Sequence, residues 1–296
     1  MVADVPLPVR ALSASGYEVL DHLHRSRGFD VYDAWSTERR CRCVIKTPRA
    51  DRLDDPKLRR RLEREGRLLR RLTHPHILRG YDVIPGPPPA VVTETLRGAT
   101  LEHLLETSRR LTAAEAAVLG MQLCSAVAYL HDQGYLHLDL KPSNVVVDAG
   151  RAIVVDLSIA RKPGRGIPGL GTWAYLAPEQ ALGDQLGPAA DVWGIGVVLF
   201  EALTGRPLFG DGDADDDGDS DVATDSVDPE DYPQLEARAP RIRIVRRLPA
   251  ALATAIDACL EPDPSRRPSV CDLSAMLERV PGAGSPRAVR PETCNQ

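Results

Sequence analysis

Along the first hundred residues, apolar and polar side chains alternate in short runs, the period-two signature of half-buried strands. Such runs lie at residues 17–20, 29–34 and 41–46, and again at 78–83 and 90–94. Between these groups the period changes. Leu58, Leu62, Leu69 and Leu72 recur at helical spacing, so residues 54–72 are read as one helix, ended before His74 and Pro75. Glu65 fills the missing step of that apolar stripe. An unpaired buried carboxylate is very costly, so Glu65 either meets a cation or lies at the stripe's edge in water. The pattern alone leaves both open. Beyond Gly98 the chain turns mostly helical, with long patterns at residues 113–131, 189–203 and 249–260. Two β-like runs interrupt it at 145–147 and 152–155. A strand-rich first third with one helix, followed by a helical remainder, predicts an α+β fold in two lobes.

Composition narrows the class without changing that picture. The 296 residues are 43% apolar and 27% charged, as in ordinary soluble globular proteins, and suffice for a core without disulfide or metal staples. Aromatics at 4% argue against a base-stacking nucleic-acid binder. No run reaches the eighteen or so consecutive apolar residues of a membrane span, and the first residues lack the order of a secretory signal. The cysteines at 41, 43, 124, 259, 271 and 294 form no CxxC pair and read as reduced packing thiols. The expectation is a cytoplasmic chain with no nucleic-acid or membrane partner, no membrane span and no appended sensor domain.

The net charge of −5 is localised. Residues 210–231 hold ten Asp and one Glu with no basic side chain. The rest of the chain carries 37 basic against 31 acidic side chains, so its body is positive. The acidic run reads as a solvated, disordered insert that can attract a basic partner through its field. Residues 213–221 resemble a calcium loop, but Thr224 stands where the bidentate Glu is needed. The tail, residues 281–296, is rich in Pro, Gly and Arg and is also read as disordered. The basic run at 57–71 is read as the solvated face of the Glu65 helix. Only four Lys occur among the basic residues, at 46, 57, 141 and 162.

Two of those lysines fall among residues that carry chemistry. The stretch 135–148, YLHLDLKPSNVVVD, places Asp139, Lys141 and Asn144 on one short loop. Twelve residues after Asn144 an apolar strand ends on Asp156. Two carboxylates, an amide and an ammonium converging at strand ends would suit a magnesium–phosphate site, because magnesium takes few protein oxygens and completes its octahedron with phosphate and water.

With these motifs in order, residues 15–280 resemble the eukaryotic-type Ser/Thr protein kinases of bacteria. The resemblance implies an N-lobe at 15–94 and a C-lobe at 98–280. It implies that Lys46, in Cys-Val-Ile-Lys, holds the nucleotide's α and β phosphates and pairs with Glu65, which resolves the open choice above toward burial. It makes Asp139 the catalytic base, Lys141 the γ-phosphate ligand, and Asn144 and Asp156 the magnesium ligands. Val31, Val44, Glu94, Leu96 and Val146 fall at nucleotide-contacting positions, with Thr93 as gatekeeper. Residues 171–179, GTWAYLAPE, are similar to the substrate-binding segment. There Thr172 and Lys141 favour a Ser/Thr acceptor, and Glu179 would pair with Arg267. Asp191 would brace the catalytic loop. The cofactors implied are ATP with Mg2+, or Mn2+ in its place, and the partners are protein substrates.

The chain also departs from that pattern. LHRSRGFDVY at 23–32 puts His24, Ser26 and Phe29 at the three positions of the glycine-rich loop. Glycines there let backbone N–H groups approach phosphates, so nucleotide clamping should be weakened. Leu138 replaces the Arg before the catalytic Asp, and Ser158 replaces the Gly of Asp-Phe-Gly. Residues 159–171 contain no Ser, Thr or Tyr, so activation-segment phosphorylation is not expected to switch the protein. These losses support an alternative, a pseudokinase acting as a nucleotide-sensing or scaffolding module. A small-molecule kinase of the aminoglycoside-phosphotransferase type is disfavoured by the GT…APE segment.

Overall fold

The structure, a computed structural model, describes residues 16–108, 110–210 and 232–283. Residues 211–231 of the acidic insert and the tail from 284 lie outside them. Residues 281–283, read with the disordered tail, instead form a turn, with Ala283 N–H donating to Val280 O at 3.1 Å and Ala283 itself buried. The tail assignment therefore began too early, because Pro and Gly mark turns as readily as disorder. The chain divides into two compact units: residues up to Arg97 with Asp156–Ser158, and Gly98–Val155 with the residues from Ile159 onward.

The first unit is an antiparallel five-stranded sheet of order β1-β2-β3-β5-β4. Its strands are β1 (Tyr17–Arg25), β2 (Phe29–Ser36), β3 (Cys41–Pro48), β4 (Gly80–Ile84) and β5 (Ala90–Glu94), with helix α1 (Pro56–Arg71) between β3 and β4. Alternation along the strands makes two faces. Ala34, Cys43, Ile45 and Val92 form a core on one face with Tyr17. The register Val31↔Lys46↔Val91 and Asp33↔Val44↔Thr93 sets these residues on the other face. Strand β1 continues past residue 20 to Arg25, where its side chains are exposed and no apolar alternation marks it. Backbone pairing to β2 holds it there.

Helix α1 begins where Pro56 occupies the first turn and the Asp55 carboxylate accepts from the Lys57 and Leu58 N–H groups. Leu58, Leu62 and Leu69 are buried along one stripe. Gly66 sets how closely the helix lies on the sheet, since a Cβ there would stand 2.5 Å from a Val91 methyl and 2.7 Å from a Val83 methyl.

The second unit carries a small sheet of order β6-β7-β8, from β6 (Ala99–Thr100), β7 (Val145–Asp148) and β8 (Arg151–Val154). Around it stand α2 (Leu101–Ser108), α3 (Ala113–Asp132), α4 (Pro178–Leu182), α5 (Pro188–Thr204), α6 (Pro233–Glu236), α7 (Ile242–Val245), α8 (Ala250–Cys259) and α9 (Val270–Glu278). A two-strand ladder joins β9 (Gly164–Arg165) to β10 (Gln185–Leu186). Helix α3 starts in a reciprocal Thr112–Glu115 capping box. By length and composition α3 could cross a membrane, although no strictly apolar run of that length exists in the chain. Its residues Leu119, Leu123, Val127 and Leu130 are buried in this unit's core, packed with α5 and α9. Every residue from Asp191 to Phe200 of α5 is buried, which makes α5 the central core helix.

Gly98 opens the second unit at a close backbone approach: a Cβ would lie 1.9 Å from the Val147 carbonyl oxygen. Gly98→Ala should therefore displace β7 and destabilise the protein by about 1–3 kcal/mol. Urea unfolding of the variant against wild type measures this.

Candidate active site

In the first unit the strand alternation that buries Cys43 and Ile45 turns Val44 and Lys46 to the α1 face. Lys46 Nζ donates to Glu65 Oε2 and Oε1 at 3.0 and 3.2 Å and to Asp156 Oδ2 at 3.2 Å. Glu65, at 3% exposure, is the buried, paired carboxylate. Burial alone would lower the Lys46 pKa, but Asp156 and Glu65 together raise it above the ordinary lysine value. Burial pushes the Glu65 carboxyl up against the pull of Lys46. Asp156 goes the other way: burial opposes ionisation, yet Lys46, the Ser158 hydrogen bonds and Arg61 hold it far below the usual carboxylate range. The site thus keeps an ammonium and an ionised carboxylate, the pair needed beside phosphate and a divalent cation.

Val31 and Val44 are half-buried on the same face while Val91 and Thr93 are fully covered, so an apolar strip stays partly open next to Lys46. The Glu94 carboxylate accepts from the Arg79 N–H at 3.0 Å, and the Glu94 N–H donates back to Arg79 O at 3.0 Å. Leu96 is half-buried.

The β1–β2 turn is tied by side chains where glycines were missing. Arg25 donates to the buried Asp30 carboxylate through Nε and Nη2 at 2.7 and 3.1 Å. The Phe29 N–H donates to Ser26 Oγ at 3.1 Å, and the Ser26 N–H donates to Phe29 O at 2.9 Å. The Phe29 ring, at the third glycine position, is buried with its centroid 5.0 Å from Lys46 Nζ, a cation–π distance.

In the second unit the loop before β7 is braced by Asp191, near the start of α5. Its carboxylate accepts from the His137 and Leu138 N–H groups at 2.9 and 2.8 Å and lies 2.8 Å from His131 Nε2. Leu138 takes a left-handed conformation, φ 67°, and its carbonyl accepts from Gln180 Nε2 at 2.9 Å. The Asp139 carboxylate accepts from Thr172 Oγ1 at 2.7 Å, from the Thr172 N–H at 3.1 Å and from Asn144 Nδ2 at 2.9 Å. Lys141 Nζ lies 3.9 Å away. The loop therefore aims one carboxylate with three donors and an ammonium beside it, the arrangement of a positioned proton acceptor. Val146, on β7, is half-buried.

Burial tends to raise the Asp191 pKa, but His131 and the loop N–H groups hold it below the ordinary value. A depressed folded pKa stabilises above the unfolded value near ~3.9 and loses that contribution as pH falls through the folded one. Wild-type urea midpoints should therefore fall more steeply on acidification than those of Asp191→Asn.

Residues 159–171 are held by main-chain pairing. Leu136 and Arg161 exchange hydrogen bonds at 2.7 and 3.1 Å, β9 pairs with β10, and the Gly166 N–H donates to Asp184 O at 2.8 Å. Leu138, where the resemblance has an Arg, is buried. Glu179 receives a fork from Arg267 at 2.6 and 2.8 Å, and the Arg267 guanidinium lies 5.0 Å from the Trp193 ring. Sequence reasoning missed the Tyr175 hydroxyl donating to Glu201 Oε2 at 2.7 Å, since Glu201 lies in no motif.

Among the described residues no three His, Cys, Asp or Glu side chains form a metal cluster. The donors on hand are hard oxygens: the Asp156 carboxylate in the first unit, and in the second the Asn144 Oδ1, whose amide nitrogen is engaged with Asp139. Each of these oxygens is of the kind that suits magnesium or manganese carrying phosphate and water ligands.

A family model described as the protein kinase domain matches residues 17–277. The chain is 35% identical to the serine/threonine-protein kinase PkaA of Streptomyces coelicolor over 247 residues, 80% of this chain and 42% of that protein. It is 36% identical to the serine/threonine-protein kinase PknB of Mycobacterium leprae over 178 residues, 56% of this chain and 29% of that protein. The chain thus spans less than half the length of these relatives. With that match over most of its length and the geometry above, the chain belongs to the protein kinase family, and bacterial serine/threonine-protein kinases are the members it resembles.

Proposed function

We propose that the protein transfers the γ-phosphate of ATP to Ser or Thr hydroxyls of protein substrates, without control by activation-segment phosphorylation. The observation that carries this reading is the Asp139 carboxylate, held by Thr172 and Asn144 with Lys141 beside it. In this reading Asp139 orients the substrate hydroxyl and accepts its proton, while Lys141 and Lys46 neutralise phosphate charge. Thr172, fixed on Asp139, leaves room for a short hydroxyl. Asn144 and Asp156 hold magnesium, which when bound spreads the negative charge of the phosphates. Val31, Val44, Glu94, Leu96 and Val146 take the base and sugar. The ordered main-chain pairing of residues 159–171, with no hydroxyl to modify and Leu138 in place of an Arg, supports independence from phosphorylation there.

Radiolabelled ATP with magnesium and generic protein acceptors tests the reading. Label on Ser or Thr of the acceptor is the expected result. The Phe29 ring packed on Lys46 favours a second reading, a pseudokinase that binds nucleotide weakly. Incorporation no higher than with Asp139→Asn, together with measurable nucleotide binding, would establish that second reading instead.

A further inference from the structure

The residue after Asp156-Leu157 is Ser158, in a place where the resemblance has a glycine, and it is 2% exposed. Its Oγ accepts from Arg61 Nη2 at 2.9 Å, and its carbonyl accepts from Arg64 Nη2 at 2.7 Å. Its own N–H donates to Asp156 Oδ1 at 2.9 Å. Arg61, Arg64 and Glu65 stand at i, i+3 and i+4 on α1, so one helix face grips both Ser158 and Lys46. Asp156 sits at φ +63°, a left-handed conformation that a non-glycine residue keeps only where its surroundings hold it. A glycine at 158 would offer the helix no side-chain acceptor and would free the backbone beside Asp156.

We propose that Arg61 and Ser158 are positioning residues that latch Asp156 in its cation-holding conformation directly to helix α1. The latch supplies a constant brace in a protein whose residues 159–171 contain no Ser, Thr or Tyr. Through it the helix position that pairs Glu65 with Lys46 also fixes the Asp156 carboxylate, without any covalent switch. The inference rests on the proposed assignment of Asp156 to magnesium.

The test uses the full chain and Mn2+, whose binding is read directly by electron paramagnetic resonance in the presence of a non-hydrolysable ATP analogue. Arg61→Gln, Ser158→Ala and Ser158→Gly should each weaken Mn2+ binding about tenfold, the scale of one hydrogen bond to a charged group. The double variant Arg61→Gln/Ser158→Ala should be no worse than either single one. Metal-free nucleotide affinity should stay at the wild-type value. Amide exchange at residues 156–158 should rise in the same variants without nucleotide or metal, and circular dichroism shows whether each is folded. Unchanged Mn2+ affinity and unchanged exchange, or fully additive effects, would overturn the latch. If wild type binds no Mn2+ with nucleotide, the magnesium assignment fails instead. The exchange measurement then still decides whether Arg61 and Ser158 hold Asp156.

Discussion

Replacing Asp139 by Asn should reduce phosphoryl transfer on the order of 10²- to 10⁴-fold, the usual worth of a positioned general base. The substitution is nearly isosteric, so the loop should keep its shape. Asp191 continues to hold the His137 and Leu138 N–H groups, and Gln180 continues to hold the Leu138 carbonyl. What changes is the acceptor. The Asp139 carboxylate receives Thr172 Oγ1 on one oxygen and Asn144 Nδ2 on the other, and an amide can accept on only one side. Nucleotide affinity should be unchanged, because Lys46, Glu65 and Asp156 are untouched. Initial rates at saturating ATP, paired with equilibrium nucleotide binding, measure both expectations. A variant that retains wild-type rates would exclude Asp139 as proton acceptor.

The largest stability effect should come from Arg267→Ala, at about 3–5 kcal/mol, the typical cost of stripping one partner from a buried ion pair. The Arg267 side chain is fully buried, and Glu179 is nearly so. Beyond the fork to Glu179, Arg267 donates to the carbonyls of Glu261, Ala189 and Pro262 at 2.7, 2.9 and 3.0 Å. Alanine would leave a buried carboxylate and three carbonyls without their donor. Lysine cannot reproduce a planar fork, so Arg267→Lys should fall between wild type and Arg267→Ala. Glu179→Ala/Arg267→Ala should cost less than the two single variants summed, because the pair acts as a unit. Urea unfolding of wild type and the four variants reads these values. An unshifted midpoint for Arg267→Ala would mean that the pair is held together by its surroundings rather than stabilising them.

Much of the architecture was legible because burial imposes a period. The alternation at residues 29–34 and 41–46 marks β2 and β3, and the Leu58–Leu72 stripe marks α1. Where side chains are exposed, as along Asp21–Arg25 of β1, no period forms, and the strand is visible only through its pairing with β2. The short helices α4, α6 and α7 are likewise too brief for a periodic signal. The order of motifs along the chain pointed to the candidate site: Asp139, Lys141 and Asn144 lie within six residues, so local loop geometry suffices to bring them together. Glu65 was undecided from its pattern, since a stripe does not say whether a cation waits opposite.

By itself, then, the sequence determined which residues are candidates for chemistry, which strands and long helices form, and where the charge lies. The tertiary structure decided the partners. Lys46 meets Glu65 because Gly66 lets α1 settle on Val83 and Val91. Phe29 lies over Lys46 because the Arg25–Asp30 pair closes the turn that glycines would otherwise shape. Ser158, which in sequence reads only as a stiffer glycine, takes a guanidinium from a helix 97 residues away. The physical reason is common to all three. Periodicity and spacing encode what a segment does with water and with its near neighbours. Ion pairs and hydrogen bonds between distant segments depend on close approach in three dimensions, which no local pattern records.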